Sequence, residues 1–116
     1  MHIEKFCRPE NGQMARLGDN YWYVARLITL AKDLEVFEIP LRHLHMYYTY
    51  ERLTLREMVM HFRAVTDADL DHPIILDEDG EVMDGRHRIM KAIIEGKPSI
   101  KAVRFDKNPE PCRQDD

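Results

Sequence analysis

The chain has 116 residues, 44% of them hydrophobic and 33% charged, with a formal net charge of −4 at pH 7. This length suits one domain with a modest core, and the acidic balance argues against a protein that coats nucleic acid, which would carry a strong basic excess. No apolar run is long enough to span a bilayer, so no membrane partner is expected. The opening Met1-His2-Ile3-Glu4-Lys5 lacks the apolar core of a signal peptide, and a cytoplasmic location is the expectation. Cys7 and Cys112 lie near opposite ends with no metal-type spacing, so two reduced thiols are expected in place of a disulfide scaffold.

Residues 1–18 have few periodic apolar positions and are broken by Pro9, Asn11 and Gly12; they read as an irregular lead-in. Asp19 or Asn20 then caps a predicted helix over 20–34. Its apolar stripe is Trp22, Ala25, Ile28, Ala31 and Leu34, which reads as core, or as a homodimer face if this helix is an addition to the basic fold. Residues 35–39 read as a strand closed by Pro40. The segment 41–52 has no clean period. His43 and His45 alternate as metal ligands do, but no third ligand is suitably spaced, so no metal site is assigned. Tyr47, Tyr48 and Tyr50 read as core-edge packing in preference to base stacking.

Thr54 and Glu57 form a capping-box pattern. The helix after it is expected to bury Leu55, Met58, Val59, Phe62 and Val65, with Met60 as another packing residue, and to end in a loop marked by Asp67, Asp69 and Asp71. Pro73 opens a strand over 74–76. Asp79-Gly80 signals a two-residue hairpin turn with positive φ at both positions, and 81–83 is the return strand. A helix over about 87–95 turns Ile89, Ala92 and Ile93 to the core and is capped by Gly96. Residues 100–105 form a last alternating strand, and the Pro-containing tail 107–116 is expected to be loose. The order is helix, strand, helix, hairpin, helix, strand: a small mixed-sheet α/β (α+β) domain over 19–106.

Asp84-Gly85-Arg86-His87-Arg88 stands at a strand-to-helix junction. A glycine there allows close approach of backbone to a ligand, the helix start favours anions, and a guanidinium is a planar fork suited to phosphate. His87 is a phosphate donor or proton shuttle, or else braces the helix start. Asp84 is a Mg²⁺ ligand or a base for a substrate hydroxyl, or else it steadies the turn by bonding local backbone N–H groups, or pairs with Arg86 or Arg88. Arg88 is a phosphate ligand, or a solvated residue in line with Lys91 and Glu95.

The run 73–88 resembles the ParB/sulfiredoxin-like superfamily, with the resemblance extending over roughly 36–105. ParB partition proteins carry Gly-Glu-Arg-Arg at this place and sulfiredoxins Gly-Gly-Cys-His-Arg. A group of small-molecule kinases on the same fold carries Asp-Gly-x-His-Arg, the pattern that Asp84 to Arg88 match most closely. The resemblance implies that Gly85, Arg86, His87 and Arg88 bind phosphates of a nucleotide (ATP, ADP or CTP, with Mg²⁺) or of a phosphorylated small molecule. Asp84 and His87 are then the catalytic candidates of a nucleotide-dependent phosphotransferase or NTPase. Arg86 stands where sulfiredoxins have their cysteine, so no thiolate nucleophile is expected. No helix-turn-helix module follows Phe105, so a full partition protein is not expected either. The alternative is a non-catalytic, DNA-associated or partition-type accessory module, with direct DNA binding disfavoured by the acidic balance.

Overall fold

Alternation along two central strands decides how this chain folds. In the computed structural model, which describes residues 13–44, 46 and 52–114, the elements are β1 (Met14–Leu17), β2 (Asn20–Tyr23), α1 (Val24–Ala31), β3 (Phe37–Pro40), a 3-10 turn (Leu41–His43), α2 (Leu55–Asp67), β4 (Ile74–Leu76), β5 (Val82–Asp84), α3 (Arg86–Ile94), β6 (Ser99–Arg104) and β7 (Arg113–Gln114). The fold is α+β: a four-stranded mixed sheet, order β3-β6-β4-β5, and a three-stranded sheet, order β1-β2-β7. β4 and β6 run parallel; their outer neighbours are antiparallel.

All three residues of β4 are buried. Successive strand residues point to opposite faces. Ile74 and Leu76 accordingly pack with Ile100, Ala102, Ile89 and Ala92 on the α3 side. Ile75 packs with Val103, Phe105, Trp22 and Leu27 on the other, beneath α1 and the N-terminal hairpin. The sheet thus divides two half-cores. Pro40, which has no N–H to donate, ends the edge strand β3. Among the described residues no helix is long and apolar enough to cross a membrane.

Several expectations are corrected. The N-terminal helix starts at Val24, not 20, because Asn20–Tyr23 pairs with Met14–Leu17 in a hairpin that reaches back into the supposed lead-in. The shift changes the buried stripe to Val24, Leu27 and Ala31 and leaves Ile28 exposed, while Trp22 is buried as a strand residue. The segment 107–114 is not loose. The Trp22 indole donates to Pro109 O (2.9 Å), Arg26 donates to Glu110 O, Cys112 N donates to Tyr21 O (2.7 Å), and Arg113 lies 4.0 Å over the Tyr21 ring. A buried indole N–H needs an acceptor, and this tail supplies it. Cys112 is disulfide-bonded, against the expectation of reduced thiols; the other cysteine, Cys7, lies outside the described residues, as do His45 and the tyrosines at 47, 48 and 50.

The β4–β5 connection is wider than a two-residue turn, and in it only Gly80 has positive φ. The cause is Asp77, a buried carboxylate that accepts from Asp79 N and Glu81 N, both at 2.8 Å, while Asp77 N donates to Glu81 O. Its side chain builds the turn that Asp79-Gly80 was expected to make. The capping box of α2 is formed as read, with Glu57 N donating to Thr54 Oγ1 and Thr54 N to Glu57 Oε1, both at 3.1 Å. The burial of α2 is not: only Val65 is buried, Met58 is half-buried, and Leu55, Val59, Met60 and Phe62 are exposed. In α3, Ile89 and Ala92 are buried as expected, but Ile93, one residue further round the helix, is exposed. Lys91 of α3 fastens the end of α2 by donating to Thr66 O (3.0 Å) and Ala68 O (2.6 Å), a lysine at the carbonyl end of a helix dipole.

Candidate functional site

Five consecutive residues, Asp84 to Arg88, bend the chain from β5 into α3. A β-bulge between Ile75 and Leu76 shifts the register, so that Leu76 pairs with Val82 and Ile75 with Asp84. Bulges re-aim the chain next to sites. Gly85 then takes φ +119 and serves as the N-cap of α3, its carbonyl accepting from Ile89 N at 3.0 Å. A Cβ at Gly85 would lie 2.4 Å from Ile74 Cγ2 and 2.8 Å from Ile74 Cβ. The glycine is therefore required by the turn and by contact with β4; its ligand-approach role is not needed to explain it.

Arg88 reaches back over one turn. It donates to Asp84 Oδ2 (2.7 Å), Pro73 O (3.0 Å) and His72 O (3.2 Å). Its side chain is 17% exposed and that of Asp84 15%. One guanidinium fork thus ties the start of α3 to the end of β5 and to the entry of β4. The structure favours the turn-steadying alternative for Asp84 and a clamp for Arg88, not a solvated position.

His87 meets His61, a residue that pattern reading missed. His61 Nδ1 and His87 Nε2 are 2.9 Å apart, with ring centroids at 5.2 Å. One nitrogen donates and the other accepts, so a single proton lies between the rings. The available signal was position: His61 precedes the buried Val65 by one helical turn. Burial first, then the neighbouring His61 and Arg86, lower the His87 pKa, and Asp84 opposes them. Its neutral form is therefore favoured in the fold. The pH dependence follows: the unfolded chain holds this proton more tightly, so the contribution is full above about 6.5, the ordinary value, and declines as pH falls toward the lowered folded value. Thermal melts between pH 7 and 5 should show a smaller acid-side loss in His87→Gln than in the wild type; parallel curves would refute the assignment.

An open groove of about 1060 Å³ runs past this turn. Asp84, Gly85, Arg86, His87 and Arg88 all line it, so the structure brings every sequence-selected site residue to one place. His61 and Ala64 of α2, with Ala68 just past its end, form another wall, and β1 contributes Arg16, a second missed residue. Arg16 lies in the segment expected to be an irregular lead-in; the hairpin brings it here, with Nε donating to Gly18 O at 2.9 Å. The carboxylates lining the groove among the described residues are Asp69 and Asp84. Asp84 is held by Arg88, and Asp69 accepts from Asp71 N and faces His72 Nε2 at 3.4 Å. Mg²⁺ beside a nucleotide takes one or two such carboxylates together with the phosphates; of the two here, Asp84 is already paired with Arg88. No group of three or more His, Cys, Asp or Glu able to hold a metal occurs among the described residues. No family model, curated protein or solved structure matches the chain.

Proposed function

We propose that this domain binds the phosphate of a nucleotide or of a phosphorylated small molecule in the groove at the start of α3. The observation that carries the reading is the gathering of Arg16 from β1, His61 from α2, and Arg86 and His87 from α3 around one cleft. Three separate elements bring cationic or protonatable donors to the N-terminal end of a helix, where the dipole adds about 0.3–1 kcal/mol for an anion. The resemblance of residues 84–88 to the phosphate-binding turn of the ParB/sulfiredoxin-like superfamily supports the same reading. In it Arg86 and His87 are the ligands, and the Asp84–Arg88 pair holds the turn in shape.

Binding is favoured over turnover. A phosphotransferase or NTPase would use Asp84 as base or Mg²⁺ ligand, and that carboxylate is engaged by Arg88. A DNA-backbone ligand would use the same donors, but the net charge of −4 opposes it. Calorimetric titration with ATP, ADP, CTP and inorganic phosphate tests the proposal. At least one should bind, with Arg86→Ala weakening it about tenfold or more, the loss of a charge-assisted contact. Silence with all four at millimolar concentration defeats the proposal; strongly salt-dependent retention of DNA in a gel shift would favour the accessory-module reading instead.

A further inference from the structure

The sequence contains two cysteines, and Cys112 is disulfide-bonded, so its partner in the chain is Cys7. Cys112 itself is half-buried and sits against the start of α1. Two donors point at its sulfur: Tyr23 N at 3.5 Å and Arg26 Nη1 at 3.6 Å. The backbone N of Cys112 donates to Tyr21 O at 2.7 Å, which fixes the sulfur in front of both.

Neither donor gains much from a disulfide, because a neutral sulfur is a weak acceptor. Both sit where an anion is missing. Helix α1 has no side-chain cap at Tyr23 and no acidic residue in its first turn, so the positive end of its dipole lacks a counter-charge. Arg26 is half-buried, its Nε is buried without a hydrogen-bond partner, and among the described residues it makes no ion pair. Burial disfavours its charge, and Glu110 supports it. Glu110 works against an anion at residue 112, while Arg113, next in the chain, favours one. Reduction of the bridge would place a thiolate in front of these donors, where each contact becomes charge-assisted. Whatever stabilises the reduced form makes a disulfide easier to open. We infer that the Cys7–Cys112 bridge is a thiol–disulfide exchange site for glutathione-class thiols, with Cys112 as the leaving thiolate and Arg26 and the start of α1 as its stabilisers.

The exchange runs in two displacements. A glutathione thiolate attacks the Cys7 sulfur; the S–S bond breaks and its electron pair leaves on Cys112. A second glutathione thiolate attacks the glutathione sulfur of the mixed disulfide and releases Cys7 as a thiolate. The protein gains two electrons, and two glutathiones are oxidised to one disulfide.

The test equilibrates the full chain at pH 7 with about 5 mM reduced and about 0.05 mM oxidised glutathione, a ratio that leaves structural disulfides closed. Alkylation and mass spectrometry then count the open chains. At least about a tenth of the wild type should be open. Arg26→Gln should shift the exchange constant about tenfold toward the disulfide, the loss of one charge-assisted contact, and Arg26→Lys, which keeps the charge, by much less. The sign is diagnostic. If Arg26 only holds the tail through Glu110 O, removing it lets Cys112 move away and shifts the constant toward the dithiol. That shift, or no shift, overturns the inference. So does a wild-type bridge that stays closed in this buffer, or a chain that keeps two thiols after air oxidation.

Discussion

Gly85→Ala should be the most damaging single-methyl change in this protein. Two independent costs meet there. The φ of +119 is a backbone region that residues with a Cβ rarely adopt, and the new methyl would sit 2.4 Å from Ile74 Cγ2, on a strand residue with no exposed surface. Strain of about 1–3 kcal/mol and overpacking of about 1–3 kcal/mol give a total of about 4 kcal/mol. For a domain of this size that is a fall of roughly 15 °C in melting temperature. The two costs separate in a double-mutant cycle. Ile74→Ala is itself destabilising because it opens a cavity, yet it removes the atoms in the way. The combined variant should therefore be less destabilised than the sum of the two singles. Strict additivity would show that the clash does not matter and that only the backbone angle does.

Arg88→Ala should come second, at about 2–3 kcal/mol, because it strips the partner from a mostly buried Asp84 carboxylate and also abandons the carbonyls of His72 and Pro73. The larger penalties seen for fully buried pairs do not apply, since both side chains keep some solvent contact. Arg88→Lys should recover little, as a single ammonium cannot span three acceptors on two segments. Chemical denaturation with and without phosphate distinguishes a clamp from a ligand. A clamp loses stability in the absence of any anion. If Arg88→Ala leaves the denaturation midpoint unchanged and only abolishes anion binding, the guanidinium serves the ligand and the clamp assignment fails.

The elements that sequence alone located were those stabilised by local chemistry. Thr54 and Glu57 close a reciprocal cap across one turn, Gly96 ends α3, with Lys97 N donating to Ala92 O, and the apolar run Ile74-Ile75-Leu76 has little choice but a buried strand. The site turn was legible for the same reason: Asp84 to Arg88 are contiguous, and a glycine between a strand and a helix constrains its neighbours whatever surrounds it.

Position in space decided the rest. Whether 20–23 is the first turn of a helix or the second strand of a hairpin depends on Met14–Leu17 and Arg113–Gln114 being there to pair with its backbone. Helical periodicity in α2 shows a stripe but not what covers it: α3 packs against the helix, and Val65 is its buried residue. The partners of the site turn were hidden by distance along the chain. His61 stands 26 residues from His87, and Arg16 arrives on a hairpin near the other end of the domain. Periodicity reports neighbours along one helix or strand; which remote side chains share a groove is settled only when the half-cores close.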